Sequence, residues 1–378
     1  MEFKIKRDVF LESVQKTLGI VERNTVTPIL NNILIRTGKD RITIIATDRE
    51  IGLTSYYDAE IISDGEITLS ARNLFEMIRE IDGNEINFKK NENNQVNLIC
   101  RKIVCNIPGI PVDDFPVFPD DDVIFTKVKN INIKEMIDKT FFAMSKDEMR
   151  ANLNGVFLQS EKNNEQPAAQ AEGHVMRMAA TDGNRLSLVT LKGDGSEFPN
   201  VDDGIILPRK GVGEIRKLAD DGGDYTEIGV KGGICVLRRD NTVLRVSLID
   251  SNYPDYKKVV PADGGIQVML DRDQFLHSLR LMSVVSSEKN RGVKIKIMEG
   301  SMALNLTNAD IGEANEEMDI SYRGAEIEAA YNVNYLIDAI QVIKEKDVSF
   351  EMREGLRPCV ISEAGNANYI SVIMPLKM

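Results

Sequence analysis

The sequence predicts an α+β protein built from three similar units in tandem. Apolar residues at helical spacing open each third of the chain, at 7–21, 132–145 and 271–286. A second helical segment recurs in each unit, at 70–81, 207–219 and 332–343. A strand ending in Thr-Asp or Thr-Asn also recurs. Its threonines stand 134 and 126 residues apart, at Thr47, Thr181 and Thr307.

Each unit repeats the same order of elements. The first helix leads into a strand at 29–37, 152–160 or 290–298. The next strand runs into the threonine motif at 41–53, 175–188 or 301–320. A second helix and two closing strands follow, with hairpin turns expected at Asp240-Asn241 and Gly365-Asn366.

Segments rich in Pro and Asp separate the units, at 108–122 and 251–265. We therefore expect domains at 1–124, 125–262 and 263–378. The polar segment 161–173 has the composition of an extended, mobile hairpin loop.

Composition excludes several classes of protein. Apolar residues make up 42% of the chain, which predicts ordinary globular cores, and no apolar run is long enough for a membrane span. The N-terminus lacks the apolar core of a signal peptide, so we expect a cytoplasmic protein. Four cysteines without metal-binding spacing and only two histidines predict reduced thiols, no bound metal and no cofactor.

The Thr-Asp motif raises the question of catalysis. Asp48 and Asp182 are candidate general bases, but an acid at this place after a strand is usually a turn residue. Neither a Gly-x-x-x-x-Gly-Lys-Ser/Thr loop nor a Gly-x-Gly-x-x-Gly loop is present. His174 and His277 are interpreted as surface or packing residues. The sequence therefore favours a protein that is not an enzyme.

Charge is distributed unevenly. The net charge is −12, which alone argues against binding to nucleic acid. The six helical segments nevertheless hold 12 basic and 10 acidic residues, so they carry +2 and the remaining chain carries −14. This segregation favours a helical surface along which a phosphate backbone lies.

Several segments, in this order, together resemble the family of bacterial sliding clamps, the beta subunits of replicative DNA polymerase III. They are the triplicated unit, DFPVFPD, TDGNRLSL, NYPDYKKV, EKNRGVKIKI and the terminal VIMPLKM. The resemblance covers essentially the whole chain. It implies three DNA-clamp domains per chain and a head-to-tail homodimeric ring, with helices lining the inner face and antiparallel sheets forming the outer wall.

The resemblance also implies the function and the partners. Such a ring encircles duplex DNA without reading its sequence and tethers the replicative polymerase for processive synthesis. Expected partners are duplex DNA, the polymerase III alpha subunit, the clamp loader, other polymerases and repair proteins, and a second copy of the chain, but no membrane. The alternative is a repeat scaffold that binds proteins without encircling DNA.

In this family a pocket binds short peptides of these partners, and matching positions transfer one at a time. They are Leu153, Thr181, Gly183, Asn184, Arg185, Leu186, Pro254, Lys258, Val259, Pro358, Val372, Ile373, Met374, Pro375 and Leu376. Family members commonly carry His at the position of Asn184 and Arg at that of Lys258, which implies slightly different peptide preferences.

Two further surfaces follow from the resemblance. The DNA-facing positions are Arg23, Asn24, Arg79, Lys146, Arg150, Arg209, Lys210, Arg216 and Lys217. Ala151 and Asn152 stand where a family member has two tyrosines, so stacking on DNA at this loop is in question. The dimer interface is expected at Cys105, Ile107, Val284 and Val285. Arg101 and Lys102 either form ion pairs there with Glu313, Glu316 or Glu317 or are solvent-exposed charges on a hairpin.

Overall fold

A computed structural model describes residues 1–21, 27–116, 118, 122–162, 173–262 and 264–377. The chain divides into two compact units. Unit 1 holds residues 1–130 and 213–248, and unit 2 holds residues 131–212 and 249–378. The predicted loop at 161–173 lies largely outside the described residues, as do Arg23 and Asn24.

Six α-helices occur in the described residues, two in each predicted repeat. They are α1 (Arg7–Thr17), α2 (Ala71–Glu80), α3 (Asn130–Thr140), α4 (Arg209–Asp220), α5 (Arg272–Val284) and α6 (Val333–Gln341). Polar side chains cap several N-termini, as where Asp271 accepts a hydrogen bond from the Gln274 amide at 3.0 Å. All six helices fall on the predicted segments. None of the described helices is long and apolar enough to cross a membrane.

Twenty-five strands are present in the described residues. In chain order they are β1 (Glu2–Lys6), β2 (Asn32–Thr37), β3 (Arg41–Thr47), β4 (Ile51–Asp58), β5 (Glu60–Ser63), β6 (Glu66–Ser70), β7 (Glu85–Lys90), β8 (Gln95–Cys100), β9 (Ile103–Pro108), β10 (Thr126–Lys129), β11 (Gly155–Lys162), β12 (His174–Thr181), β13 (Arg185–Gly193), β14 (Ile205–Pro208), β15 (Tyr225–Lys231), β16 (Ile234–Arg239), β17 (Thr242–Ser247), β18 (Ile266–Asp271), β19 (Gly292–Met298), β20 (Ser301–Asn308), β21 (Gly312–Asp319), β22 (Ile327–Asn332), β23 (Asp347–Met352), β24 (Cys359–Glu363) and β25 (Asn366–Ile373).

Unit 1 contains two antiparallel sheets. The five-stranded sheet has the order β5-β1-β7-β8-β9, and the eight-stranded sheet has the order β10-β15-β16-β17-β4-β3-β2-β6. Helix α1 packs against α2. Phe3, Phe10 and Phe88 form an aromatic core beneath α1, with the rings of Phe3 and Phe88 stacked at 4.6 Å.

Unit 2 repeats this plan. Its eight-stranded sheet has the order β14-β11-β12-β13-β25-β24-β23-β18, and its four-stranded sheet has the order β21-β20-β19-β22. The eight-stranded sheet is continuous because β13 pairs with β25, which brings the TDGNRLSL segment beside the C-terminal strand. Helix α5 packs against α6 over Phe275 and Phe350.

The threonine motif differs in one respect from the prediction. The segment 41–53 is a hairpin in which β3 ends at Thr47 and β4 begins at Ile51. The segment 175–188 turns in the same way between β12 and β13. Each motif is therefore a turn with strands on both sides.

Candidate functional site

The hairpin turn at Thr181–Arg185 is built by its own side chains. Asp182 Oδ1 accepts hydrogen bonds from the backbone amides of Asn184 and Arg185 at 2.9 and 3.1 Å. The hydroxyl of Thr181 accepts from the Gly183 amide at 3.1 Å and donates to the Arg185 carbonyl at 2.6 Å. Gly183 has φ +90°, which a side chain would strain. The turn thus presents Gly183 and Asn184 to solvent.

The same turn occurs in the first repeat. Asp48 Oδ1 accepts from the amides of Glu50 and Ile51 at 2.9 and 2.6 Å, and Thr47 accepts from Arg49 at 2.8 Å. In both turns the aspartate carboxylate accepts hydrogen bonds from backbone amides, as in an Asx turn. This geometry agrees with the turn interpretation of Asp48 and Asp182 and not with a general base.

Arg185 is buried and fully engaged within unit 2. Its Nε lies 3.1 Å from Asp182, Nη1 lies 2.7 Å from Asp338 on α6, and Nη2 donates to the Phe142 carbonyl at 2.5 Å. The guanidinium also lies over the ring of Tyr335 at 4.2 Å. The Arg185 side chain therefore holds the turn against α6.

An apolar cluster lies beside this turn. Leu186 pairs with Val372 across β13 and β25, and both are buried in one cluster with Ala179, Leu188 and Tyr256. Partly buried apolar side chains pack against the cluster: Phe157, Tyr253, Val260, Val360 and Ile370. The stretch 249–262 thus contributes two tyrosines to the cluster.

The tyrosines of that stretch were not among the predicted pocket residues. Tyr253 stacks on Phe157 at 5.1 Å, and burial raises the pKa of its phenol, which donates to the Ala179 carbonyl at 3.4 Å. Tyr256 opens a short 3-10 helix, Tyr256–Lys258. Their spacing around Pro254 in NYPDYKK is the signal that could have revealed them.

The C-terminal tail leaves β25 beside the turn. The Met374 amide donates to the Asn184 carbonyl at 2.9 Å, which joins the tail to the tip of the turn. Two residues later the Leu376 amide donates to the Ala330 carbonyl at 2.8 Å, so the backbone of Leu376 lies against the four-stranded sheet. Val259 is 43% exposed, Met374 41% and Leu376 39%, which makes them the accessible large apolar members of the predicted set.

The remaining pocket positions take different places. Leu153, Leu186, Val372 and Ile373 are buried. Pro358 and Pro375 are half-buried, and Pro358 precedes Cys359, the partner of Ile373. Pro254 and Lys258 are exposed, with the Lys258 ammonium 3.1 Å from Asp255. The structure therefore gathers the predicted residues around one turn, one linker and one tail.

Helix α4 carries four of the predicted DNA-facing cations. Its sequence holds four basic and two acidic residues, and the two later cations are paired, Arg216 with Asp220 and Lys217 with Glu214, both at 2.7 Å. Lys210 is exposed. Arg209 differs, because it is half-buried, lies 4.7 Å over the Phe141 ring and donates to the Met144 carbonyl. Burial and the nearby Arg185 lower the pKa of Arg209.

Three other predicted cations lie elsewhere. Arg79 is on α2, half-exposed and paired with Glu80 at 2.9 Å. Lys146 and Arg150 flank the turn before β11, and Arg150 bonds to Asp147 at 3.2 Å and to the Asp182 carbonyl at 3.0 Å. All three residues are solvent-exposed.

The predicted interface residues fall on or near an edge strand in each unit. In unit 1 the edge strand is β9, where Val104 is 57% exposed and Ile103 is also exposed. Cys105 is half-buried, whereas Ile107 is 1% exposed. In unit 2 the edge strand is β21, which carries Glu313, Glu316 and Glu317. Val284, at the end of α5, is 72% exposed.

Family profiles of the DNA polymerase III beta subunit match three successive segments of the chain: the N-terminal domain at residues 1–119, the central domain at 127–255 and the C-terminal domain at 257–377. The beta sliding clamps of Caulobacter vibrioides and Pseudomonas aeruginosa are 29% and 27% identical, each over 100% of both chains.

Solved structures agree with the sequence comparison. Caulobacter crescentus pol III beta superposes with a TM-score of 0.91 at 28% identity, over 100% of both chains. A sliding clamp from Bartonella birtlesii bound to griselimycin superposes with a TM-score of 0.92 at 26% identity, again over both full chains.

The chain has three similar α+β domains, and Asp48 and Asp182 stabilise turns. These features define a clamp-type protein. The profile matches cover nearly the whole chain, and the chain belongs to the DNA polymerase III beta subunit family, the bacterial sliding clamps. It is a non-catalytic processivity factor that encircles DNA, and the α+β clamp fold predicted from the sequence is confirmed. The scaffold alternative is not favoured.

Proposed function

We propose that two copies of this chain close head to tail into a ring, joining β9 of one copy to β21 of the other. Both strands are sheet edges with unpaired backbone groups, which favours strand addition. The exposed Val104 would meet the exposed Val284 of the second copy. One carboxylate oxygen of Glu316 is buried and has no hydrogen-bond partner among the described residues, which suits a cation such as Arg101 or Lys102.

The ring would hold duplex DNA by topology and by weak phosphate contacts from Arg79, Lys146, Arg150, Lys210, Arg216 and Lys217. Several of these cations already have an acidic neighbour, so their attraction to DNA is moderated. Moderate attraction suits a protein that must slide, because each tight phosphate contact slows movement. The domains expected at 1–124, 125–262 and 263–378, and a place in the cytoplasm with the chromosome, belong to the same proposal.

The surface over the apolar cluster beside Thr181–Arg185, between the turn, the stretch 249–262 and the C-terminal tail, would form a peptide groove. This peptide groove would dock short peptides of the polymerase III alpha subunit, the clamp loader, other polymerases and repair proteins. The observation that carries this proposal is the convergence of the Gly183-Asn184 turn, the aromatic linker and the C-terminal tail on one apolar cluster. Leucine or phenylalanine side chains would enter between Met374 and Val259. The exposed Asn184 would orient the peptide backbone.

Topological holding is tested with loaded protein on nicked circular DNA. Cutting the circle once creates two free ends, and the protein should slide off through them. A cut circle whose two ends carry bulky blocks should retain the protein. Equal retention on open-ended and blocked DNA would contradict encirclement.

Peptide docking is tested by deleting residues 374–378, which removes the tail contacts to Asn184 and Ala330. Fluorescence polarisation with a polymerase-derived peptide should show at least tenfold weaker binding. Sedimentation should show the same assembly state, because β9 and β21 are untouched. Normal peptide affinity in the truncated protein would disprove the location of the groove and leave DNA encirclement unaffected.

A further inference from the structure

A cavity lies in unit 1, and none of its lining residues belongs to the predicted peptide pocket. It has a volume of about 410 Å³ and lies between α1, α4 and the sheet strands β4 and β17. Its apolar walls are Leu53, Leu218 and Leu244, and its rim carries Glu12, Lys16, Glu214, Lys217 and Asp221. This volume falls in the range of small-molecule sites, roughly 300–1,000 Å³.

The repeat shows what fills the corresponding place in unit 2. Leu53 and Ser187 each stand six residues after the motif threonine, and they pair with Leu244 and Ser371 respectively. Two residues further along these ladders, Ser55 pairs with Thr242, whereas Val189 pairs with Tyr369. Thr242 in unit 1 therefore corresponds to Tyr369 in unit 2.

Tyr369 is fully buried. Its hydroxyl donates to the Ala339 carbonyl of α6 at 2.9 Å. The Lys139 ammonium lies 5.5 Å from its ring centroid. An aromatic ring thus fills the space between helix and sheet in unit 2.

The lysine that faces this ring is also repeated. Lys139 forms an ion pair with Glu135 at 2.6 Å, and Lys16 forms the equivalent pair with Glu12 at 3.0 Å. Both lysines immediately precede a buried threonine, Thr140 or Thr17. Each lysine also has a second acidic partner, Asp221 at 2.5 Å for Lys16 and Glu363 for Lys139. The cavity of unit 1 therefore keeps the cation of the repeat while Thr242 replaces the ring.

The two leucines change the floor of the site. Leu53 and Leu244 stand where unit 2 has serines, so they recover part of the missing volume and leave an apolar surface instead of hydroxyls. A ring lying on this surface would bury both of its faces, one against leucine and one towards Lys16. The carboxylates of Glu214 and Asp221 at the rim are acceptors for a polar hydrogen on the ring edge.

We propose that this α1–α4 cavity binds a ligand carrying a single phenol-like aromatic ring, which occupies the place that Tyr369 fills in the repeat. The site differs from the peptide groove in residues and in chemistry, and it does not depend on DNA encirclement. Its ligand is recognised by ring size, by a polar ring edge and by the Lys16 ammonium.

The test uses p-cresol, the side chain of tyrosine, titrated into the full-length protein with methyl-labelled leucine. Saturable NMR shifts are expected at Leu53 and Leu244. Thr242→Tyr supplies the ring from the chain itself and should weaken p-cresol binding at least tenfold, whereas the matched control Thr242→Val should bind as the wild type does. The saturated analogue 4-methylcyclohexanol should bind more weakly because it offers no π face to Lys16.

A second blocking variant makes the test independent of how Thr242→Tyr folds. Leu218→Phe enlarges the opposite wall of the cavity and should also reduce p-cresol binding at least tenfold. The proposal is overturned if the wild type shows no saturable shifts at Leu53 and Leu244. It is equally overturned if Leu218→Phe, or a folded Thr242→Tyr, binds p-cresol as tightly as the wild type.

Discussion

Replacing Arg185 with alanine should destabilise unit 2 far more than its position in a surface hairpin suggests. The guanidinium neutralises Asp182 and Asp338, donates to the Phe142 carbonyl and covers Tyr335. Alanine would leave two carboxylates and one carbonyl without these partners. Removing one member of a buried ion pair costs about 3–5 kcal/mol.

The lower end of that range applies here. The side chain of Asp338 keeps 31% of its surface exposed, so water can solvate it once Arg185 is gone. We therefore expect a loss of about 3 kcal/mol in the free energy of unfolding, on the order of a 100-fold change in the equilibrium constant. Arg185→Lys should lose less, because one ammonium keeps the charge but cannot serve both carboxylates and the carbonyl with a planar fork.

Urea denaturation of the full-length protein, followed by circular dichroism, measures the effect on the transition of unit 2. Arg150→Ala is the matched control. Arg150 also contacts the turn, through the Asp182 carbonyl, but it is half-exposed, so its loss should cost no more than about 1 kcal/mol. If Arg185→Ala unfolds at the same urea concentration as Arg150→Ala, Arg185 does not hold the turn as described.

Three further outcomes are expected. Burial opposes the charged form of Lys139, but hydrogen bonds to Glu135 and Glu363 outweigh it and raise the pKa of Lys139 above 10.5. The stability that charged Lys139 contributes to the folded protein is therefore present below pH 10.5 and is lost as the pH rises through the folded-state pKa. Lys139→Met should therefore flatten the fall in stability above pH 10.5, and an unchanged alkaline slope in thermal melts would contradict this. Lys210→Ala should shorten DNA retention most at low salt and make retention less dependent on salt, because one phosphate contact is lost, whereas Arg209→Ala should mainly lower the melting temperature; the reverse pattern would place Arg209 and not Lys210 on the DNA surface. Val284→Asp should give monomers in sedimentation, since burying an unpaired carboxylate costs several kcal/mol, while Leu356→Asp, equally exposed in the β23–β24 turn, should leave the assembly unchanged.

The repeated elements were predictable from sequence because their signals are local. Helical spacing located all six helices, and the Thr-Asp pair correctly indicated a turn, since its hydrogen bonds reach only two to four residues along the chain. Sequence analysis placed β3 and β4 in one segment because both are apolar and the turn between them is short.

The side-chain partners were not predictable in the same way. Arg185 bonds to Asp338, 153 residues away, and no local pattern shows which acid a distant arginine will meet. The contact of Arg209 with the ring of Phe141, 68 residues earlier, is likewise not visible in the sequence. Ile107 shares a strand face with the half-buried Cys105, yet that face passes from the sheet edge into the core along β9.

The pairing of β13 with β25 makes the linker at 249–262 dispensable as a covalent connection. Five residue pairs and the cluster around Leu186 and Val372 join the strands on either side of it. Lys257 and Lys258 are exposed there, within reach of trypsin. A chain nicked at these lysines should still elute as one particle, and two separately expressed pieces divided at this point should reassemble, as in fragment complementation.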